Sequence, residues 1–196
     1  MLLTVLALLV APSQAQPCDE DHDRFAPPSV CAALAMGADE AYAAWLRPGM
    51  APLDSDRVVL VRRDGRRWSV DVRGYRWDTS RPHSTAETRS VSVPLSRAEG
   101  RAIAALFTEE AKARLAAVPY LPADMICLDG ASLIVEWSLD GGVASGHQHT
   151  CTDSVTAINE VAARFRELAL AKDDRLTGYL QGLERTAFQP RLVPAR

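Results

Sequence analysis

Residues 57–77 read RVVLVRRDGRRWSVDVRGYRW, and their pattern gives the clearest indication of the fold class. Two runs rich in β-branched residues flank Asp64-Gly65, the strongest short-range signal of a β-hairpin. With Asp64-Gly65 as the turn, Val61 is predicted to pair with Trp68. One strand face carries Val59, Val61, Trp68, Val70 and Val72. The other face carries Leu60, Arg62, Arg67, Ser69 and Asp71. The pattern predicts a half-buried antiparallel sheet with a solvated, largely charged outer face.

Further strands follow along the chain. Thr88–Leu95 alternates in polarity and predicts a third strand, with Pro94 near its end. A second hairpin is predicted around Asp140-Gly141-Gly142, because apolar strand-like residues flank these turn residues. Together these segments predict an antiparallel sheet built from two hairpins plus one strand.

Helical spacing of apolar residues predicts three helices. The first covers the alanine-rich segment from Val30 to Leu46. The second begins at the capping box of Ser96 and Glu99 and reaches about Ala116. The third is capped by Asp153 or Ser154 and reaches about Ala171, and residues 172–186 offer a short last helix. The element order therefore predicts an α+β fold with two to three amphipathic helices on one sheet face.

The composition excludes several classes of protein. The chain has 196 residues, of which 47% are hydrophobic and 24% charged, and its net charge is −3. This excludes collagen-like, coiled-coil and wholly disordered chains. The slight acidic excess argues against a dedicated nucleic-acid binder.

The first residues resemble an export signal. Residues 2–10 read LLTVLALLV, and small residues at Ser13 and Ala15 suit cleavage after Ala15. The alternative is an apolar N-terminal helix kept in the fold. No later stretch is apolar for long enough to span a bilayer. We expect an exported protein, periplasmic or secreted, divided into a signal peptide (1–15), an irregular acidic arm (16–29), one α+β domain (30–186) and a loose tail (187–196).

Four cysteines lie after the predicted cleavage point: Cys18, Cys31, Cys127 and Cys151. An even number in an exported chain indicates two disulfides. Three connectivities are possible, and the pairs Cys18–Cys31 and Cys127–Cys151 are favoured because each closes a short loop.

One constellation could hold a metal. A two-residue turn in the second hairpin would place Glu136, His147 and His149 on one strand face. Two imidazoles and a carboxylate can bind zinc or a similar divalent ion. A three-residue turn would destroy this arrangement, and two solvated histidines beside a disulfide are the simpler interpretation.

Two other groups carry chemistry. The arginines of the first hairpin could bind an anion through bidentate contacts; the residues singled out are Arg62, Arg66, Arg67 and Arg73. The simpler interpretation is a soluble outer strand face. Ser145 and Ser154, near His147 and Asp153, are residue types used in nucleophilic catalysis, but no nucleophile-elbow motif accompanies them.

Residues 127–171 contain Cys127-Leu128-Asp129-Gly130, Glu136, Asp140-Gly141 and Cys151, followed by an amphipathic helix. This pattern resembles uncharacterised exported proteins of Gram-negative bacteria. The resemblance implies export and brings no activity with it.

Three functions remain open on the sequence alone. The favoured one is a non-catalytic, cofactor-free module that binds an envelope or extracellular protein or polymer through its sheet face. The second is a metal-dependent hydrolase that uses Glu136, His147 and His149. The third is a structural or inhibitory protein whose surface blocks a partner.

Overall fold

A computed structural model describes residues 16–18, 30–48, 56–77, 85–119, 130–140, 142–149 and 156–180. The predicted signal peptide, most of the acidic arm and the C-terminal tail lie outside these residues. So do Cys127 and Cys151.

Seven antiparallel strands form one sheet in the order β1-β7-β6-β2-β3-β4-β5. The strands are β1 (Gln16–Pro17), β2 (Glu40–Pro48), β3 (Asp56–Asp64), β4 (Arg67–Trp77), β5 (Thr85–Leu95), β6 (Ala131–Leu139) and β7 (Gly142–His149). The helices are α1 (Val30–Ala35), α2 (Arg97–Ala104), α3 (Glu109–Ala116) and α4 (Ala157–Lys172), followed by a 3-10 turn at Asp174–Leu176. The predicted α+β class is confirmed, and both predicted hairpins belong to the same sheet.

The first predicted helix is wrong over its second half. Val30–Ala35 is helical, whereas Glu40–Pro48 is the central strand between β3 and β6. Tyr42, Ala44 and Leu46 enter the core on one sheet face, and Ala41, Ala43 and Trp45 enter it on the other. A strand buried on both faces has an almost continuous apolar sequence, which periodicity does not distinguish from a helix.

The first hairpin forms with its two faces as predicted but with a shifted register. Arg67 pairs with Asp64, so the turn is Gly65-Arg66, and Val61 pairs with Val70 rather than Trp68. Gly65 has φ +61°, which glycine adopts without strain. The shift moves the pairing by two positions, so each side chain keeps its predicted face.

The second sheet face is partly buried, which corrects the prediction of a solvated face at Leu60 and Asp71, whereas Arg67 on that face is exposed as predicted. Helix α1 packs there against a cluster that includes Trp45, Val58, Leu60 and Ile134. Helices α2, α3 and α4 cover the opposite face over a larger cluster. The sheet therefore lies between two helical layers. The thinner layer, formed by α1, was not predicted from the sequence.

The predicted helix from Ser96 to Ala116 is two helices. The capping box of Ser96 and Glu99 opens α2 as predicted, but Thr108 then caps α3 separately. The break lets Phe107 stack on Tyr42 with ring centroids 4.7 Å apart, and it meets Phe165 edge-on. Helix α4 begins after Thr156, whose hydroxyl accepts from the Ile158 amide, rather than at Asp153 or Ser154.

Gln16 and Pro17 lie in a short strand rather than an irregular arm. They pair with Val143 and Gly142 at the edge of β7. Gly142 is required here because an added Cβ would lie 2.1 Å from the Gln16 carbonyl oxygen. At the other edge of the sheet, Pro94 lies near the end of β5, as expected for an edge strand.

Candidate binding groove

A groove of about 900 Å³ opens where β2 begins, β3 ends and the β6–β7 hairpin turns. Its floor and rim at the sheet end are formed by Asp39, Glu40, Tyr42, Arg63, Ser138 and Asp140. One wall is the end of α1 with the Cys18–Cys31 disulfide, and the opposite wall is the start of α3. We call this site the sheet-end groove.

Tyr42 and Glu40 form the fixed centre of the sheet-end groove. The Tyr42 hydroxyl donates to Glu40 Oε2 at 2.7 Å, and Arg63 Nε donates to Glu40 Oε1. Burial raises the pKa of Tyr42 above its usual range, and the hydrogen bond to Glu40 raises it further. Tyr42 is therefore a neutral phenol that holds the carboxylate of Glu40 in place.

Arg63 joins this centre to the first hairpin turn. Its guanidinium lies 3.1 Å from Asp39 Oδ2 and donates to the Gly65 carbonyl at 2.9 Å. The Gly65 amide donates to the same Asp39 oxygen at 2.8 Å. These contacts fix the end of β3 against the beginning of β2.

Ser138 joins the second hairpin to the same end of the sheet. Its Oγ accepts from the Ala41 amide at 3.1 Å. The side chains on the groove floor are thus held by hydrogen bonds from three strands, and such preorganisation lowers the cost of ligand binding.

The disulfide wall is tethered to the sheet at two points. Cys18 and Cys31 form the predicted disulfide, with Cα atoms 5.3 Å apart. The Val30 amide at the start of α1 donates to Glu136 Oε2 at 3.5 Å. Because Val30, Cys31 and Ala33 are buried, α1 is a fixed wall.

Negative charge dominates the lining. Four carboxylates line the sheet-end groove: Asp39, Glu40, Glu109 and Asp140. The lining also contains two cations, Arg63 and Lys112. Arg63 is paired with Asp39 and Glu40, and Lys112 lies 2.8 Å from Glu109. The same pairs engage Asp39, Glu40 and Glu109, and the lining has a net negative charge from its excess of two carboxylates over cations.

The proposed metal ligands share a face but differ in surroundings. The second hairpin has a two-residue turn, which places Glu136 opposite Ser145, and His147 opposite Ile134. Glu136 is buried beneath α1, whereas His147 is exposed. Partial burial lowers the pKa of His149. Within the described part of the chain, no group of three or more His, Cys, Asp or Glu side chains is arranged to hold a metal ion.

A serine–histidine contact occurs on the same strand. Ser145 Oγ lies 2.7 Å from His147 Nε2. Ser154 and Asp153, the other residues considered for nucleophilic catalysis, lie outside the described residues.

The four arginines considered for anion binding fall into two groups. Arg62 Nε lies 3.3 Å from Asp71 Oδ2, and Arg73 lies 3.3 Å from Glu87. Arg66 and Arg67 are exposed in and beside the hairpin turn. Asp71 is only 1% exposed, so an internal carboxylate lies where a bound anion would meet Arg62.

The sequence prediction missed the sheet-end groove. Its central residues, Glu40 and Tyr42, fall in the segment that was predicted to be helical. The available signal was Asp64-Gly65, which predicts a hairpin turn just after Arg63. Had residues 40–48 been assigned to a strand, pairing with β3 would have placed Glu40 beside Arg63.

Comparisons with protein-family models, with curated proteins and with solved structures find no match for this chain. None of the helices among the described residues is long and apolar enough to cross a membrane.

Proposed function

We propose that the protein is an exported, non-catalytic binding module that holds a segment of a partner in the sheet-end groove. The observation that carries the proposal is the groove itself, about 900 Å³ in volume and lined by side chains already fixed by hydrogen bonds. A rigid, concave and partly polar site is the usual form of a binding site. Export is supported by the signal-like residues 2–10 and by the Cys18–Cys31 disulfide.

The charge of the lining indicates the kind of partner. Asp39 and Asp140 lie on the rim, and the lining has four carboxylates against two cations, which leaves it net negative although Asp39 is paired with Arg63. A segment that carries lysine or arginine would complement this surface. We therefore propose an envelope or extracellular protein with a basic segment as the partner.

The proposal is tested by filling the groove. Ala35 is an exposed residue of α1 on the groove wall, so Ala35→Trp would occupy the space without removing a buried contact. Ala102 is an exposed alanine of α2 that does not line the groove, and Ala102→Trp is the matched control. Each protein would be immobilised and used to capture partners from an envelope extract.

The expected result is a partner that the wild-type protein and Ala102→Trp retain and that Ala35→Trp loses. Competition by a lysine-rich peptide should release the same partner, because the rim is acidic. Equal retention by all three proteins would contradict a role for the sheet-end groove.

A further inference from the structure

The Cys18–Cys31 disulfide lies on the wall of the sheet-end groove, where a reagent can approach it. We propose that this disulfide is a thiol-exchange site, and that its reduction by a dithiol protein releases β1 and α1 from the sheet. The inference does not depend on what the groove binds.

The two sulfur-bearing residues differ in exposure. Cys18 is exposed, whereas Cys31 is 1% exposed. Thiol–disulfide exchange requires a thiolate to reach one sulfur, and access selects which sulfur is attacked. The incoming thiolate therefore attacks Cys18, and Cys31 is the leaving group.

A dithiol protein is the reductant and supplies both electrons. The first thiolate forms a bond to Cys18 Sγ, the Cys18–Cys31 bond breaks, and Cys31 leaves as a thiolate that takes a proton from water. The second thiol of the reductant then loses its proton and attacks its own sulfur in the mixed disulfide, which releases Cys18 as a thiolate that is protonated in turn. Two electrons pass to the cysteine pair, and the reductant is left as a disulfide.

Among the described residues, the two elements that the disulfide joins are short. β1 has two residues, and the side chains of residues 16–18 are exposed. Helix α1 has six residues, of which three are buried. A helix of this length is not stable by itself, because too few hydrogen bonds repay its nucleation. The covalent link therefore contributes much of what keeps both elements on the sheet.

Release of α1 would uncover the apolar cluster beneath it. That cluster includes Ala41, Ala43, Trp45 and Ile134. The larger cluster, around Trp137 and Phe165 on the other sheet face, does not involve α1. Reduction should therefore cause local opening of one layer rather than global unfolding.

Hydrogen exchange with mass spectrometry tests this opening. The variant Cys127→Ser/Cys151→Ser limits the effect of dithiothreitol to the Cys18–Cys31 pair. On reduction, amide exchange should accelerate severalfold in peptides covering residues 30–38 and 142–143, with the central strand β2 and residues 158–169 unchanged. If this variant does not fold, Cys18→Ala/Cys31→Ala in oxidising buffer should show the same accelerated peptides.

The rate of reduction tests the approach through the groove. Ala35→Trp should slow reduction of the Cys18–Cys31 disulfide by dithiothreitol severalfold, and Ala102→Trp should leave the rate unchanged. Exchange in residues 30–38 that is the same with and without the disulfide would overturn the proposed release. Equal reduction rates in the two tryptophan variants would overturn the proposed route of attack.

Discussion

The Tyr42 hydroxyl donates to Glu40 Oε2 at 2.7 Å, and the ring of the same Tyr42 stacks on Phe107 in the core. Tyr42 thus connects the floor of the sheet-end groove to the larger apolar cluster. Because the ring is held by packing, the hydroxyl and its carboxylate partner have one defined position. This fixed position is the physical basis for treating the groove as a preformed site.

The first prediction concerns alkaline pH. The pKa of Tyr42 is raised above 10.0, mainly by burial, and that of Tyr75 is raised to about 12 for the same reason. In the unfolded chain both phenols lose their protons near pH 10, so the folded state then binds more protons than the unfolded state. The stability that these groups contribute is complete below that pH and is lost as pH rises toward the folded pKa values.

Urea unfolding from about pH 9 to about pH 12 should therefore show a falling free energy of unfolding, with a shallower fall in Tyr42→Phe. Tyr42→Phe/Tyr75→Phe should be shallower still. Parallel curves for the wild-type protein and Tyr42→Phe would show that Tyr42 is not buried as described.

The second prediction concerns the disulfide. Cys18 and Cys31 are 13 positions apart. Cys18→Ala/Cys31→Ala should lower the free energy of unfolding by about 3 kcal/mol, the value for a closed loop of this size. Denaturant unfolding under oxidising conditions measures this loss. A change below about 0.5 kcal/mol would contradict this expectation.

The third prediction concerns packing between α2 and the sheet. A Cβ added at Gly100 would lie 2.1 Å from the Trp68 ring. Gly100→Ala should therefore destabilise the protein by about 1–3 kcal/mol, although alanine favours a helix over glycine. Gly178 has open space around its Cα, so Gly178→Ala is the matched control and should have little effect. Thermal unfolding of both variants gives the comparison, and equal melting temperatures would contradict the described packing.

Elements that are marked by local sequence signals were predicted correctly. Elements whose position depends on burial between neighbouring strands were not. The Asp64-Gly65 signal and the Ser96 capping box are local, so the hairpin and the start of α2 followed from sequence, although the turn itself is Gly65-Arg66. The path of β2 depends on its neighbours β3 and β6, which no local pattern around Trp45 reveals. The groove residues were missed for the same reason, because Glu40 and Arg63 meet only when β2 pairs with β3.

The fourth prediction concerns the arginines of the first hairpin. Asp71 is buried beside Arg62, and Ser92 Oγ also donates to its carboxylate. Asp71→Asn removes the charge that neutralises Arg62. Arg62 is only partly buried and also lies 3.7 Å from Asp64 Oδ2, so the variant should be less stable by about 1–3 kcal/mol.

Phosphate should recover part of that loss. The melting temperature of Asp71→Asn should rise more with added phosphate than that of the wild-type protein, because an anion that binds the folded state stabilises it. Potassium chloride at equal ionic strength is the control. An identical phosphate response in the two proteins would contradict the view that Asp71 occupies an anion position beside Arg62.

Site-specific photo-cross-linking shows directly whether a partner binds in the sheet-end groove. A photoreactive amino acid would replace Leu139, an uncharged residue of the groove lining, in one protein, and exposed Gly178, which does not line the groove, in another. Both proteins would be illuminated in envelope extract, and the cross-linked partner would be mapped by mass spectrometry. We expect one partner cross-linked through a lysine- or arginine-containing segment from position 139 and not from position 178, with the cross-link lost when Ala35→Trp is added. Cross-linking of the same partner from both positions, or its persistence in the presence of Ala35→Trp, would contradict binding in the sheet-end groove.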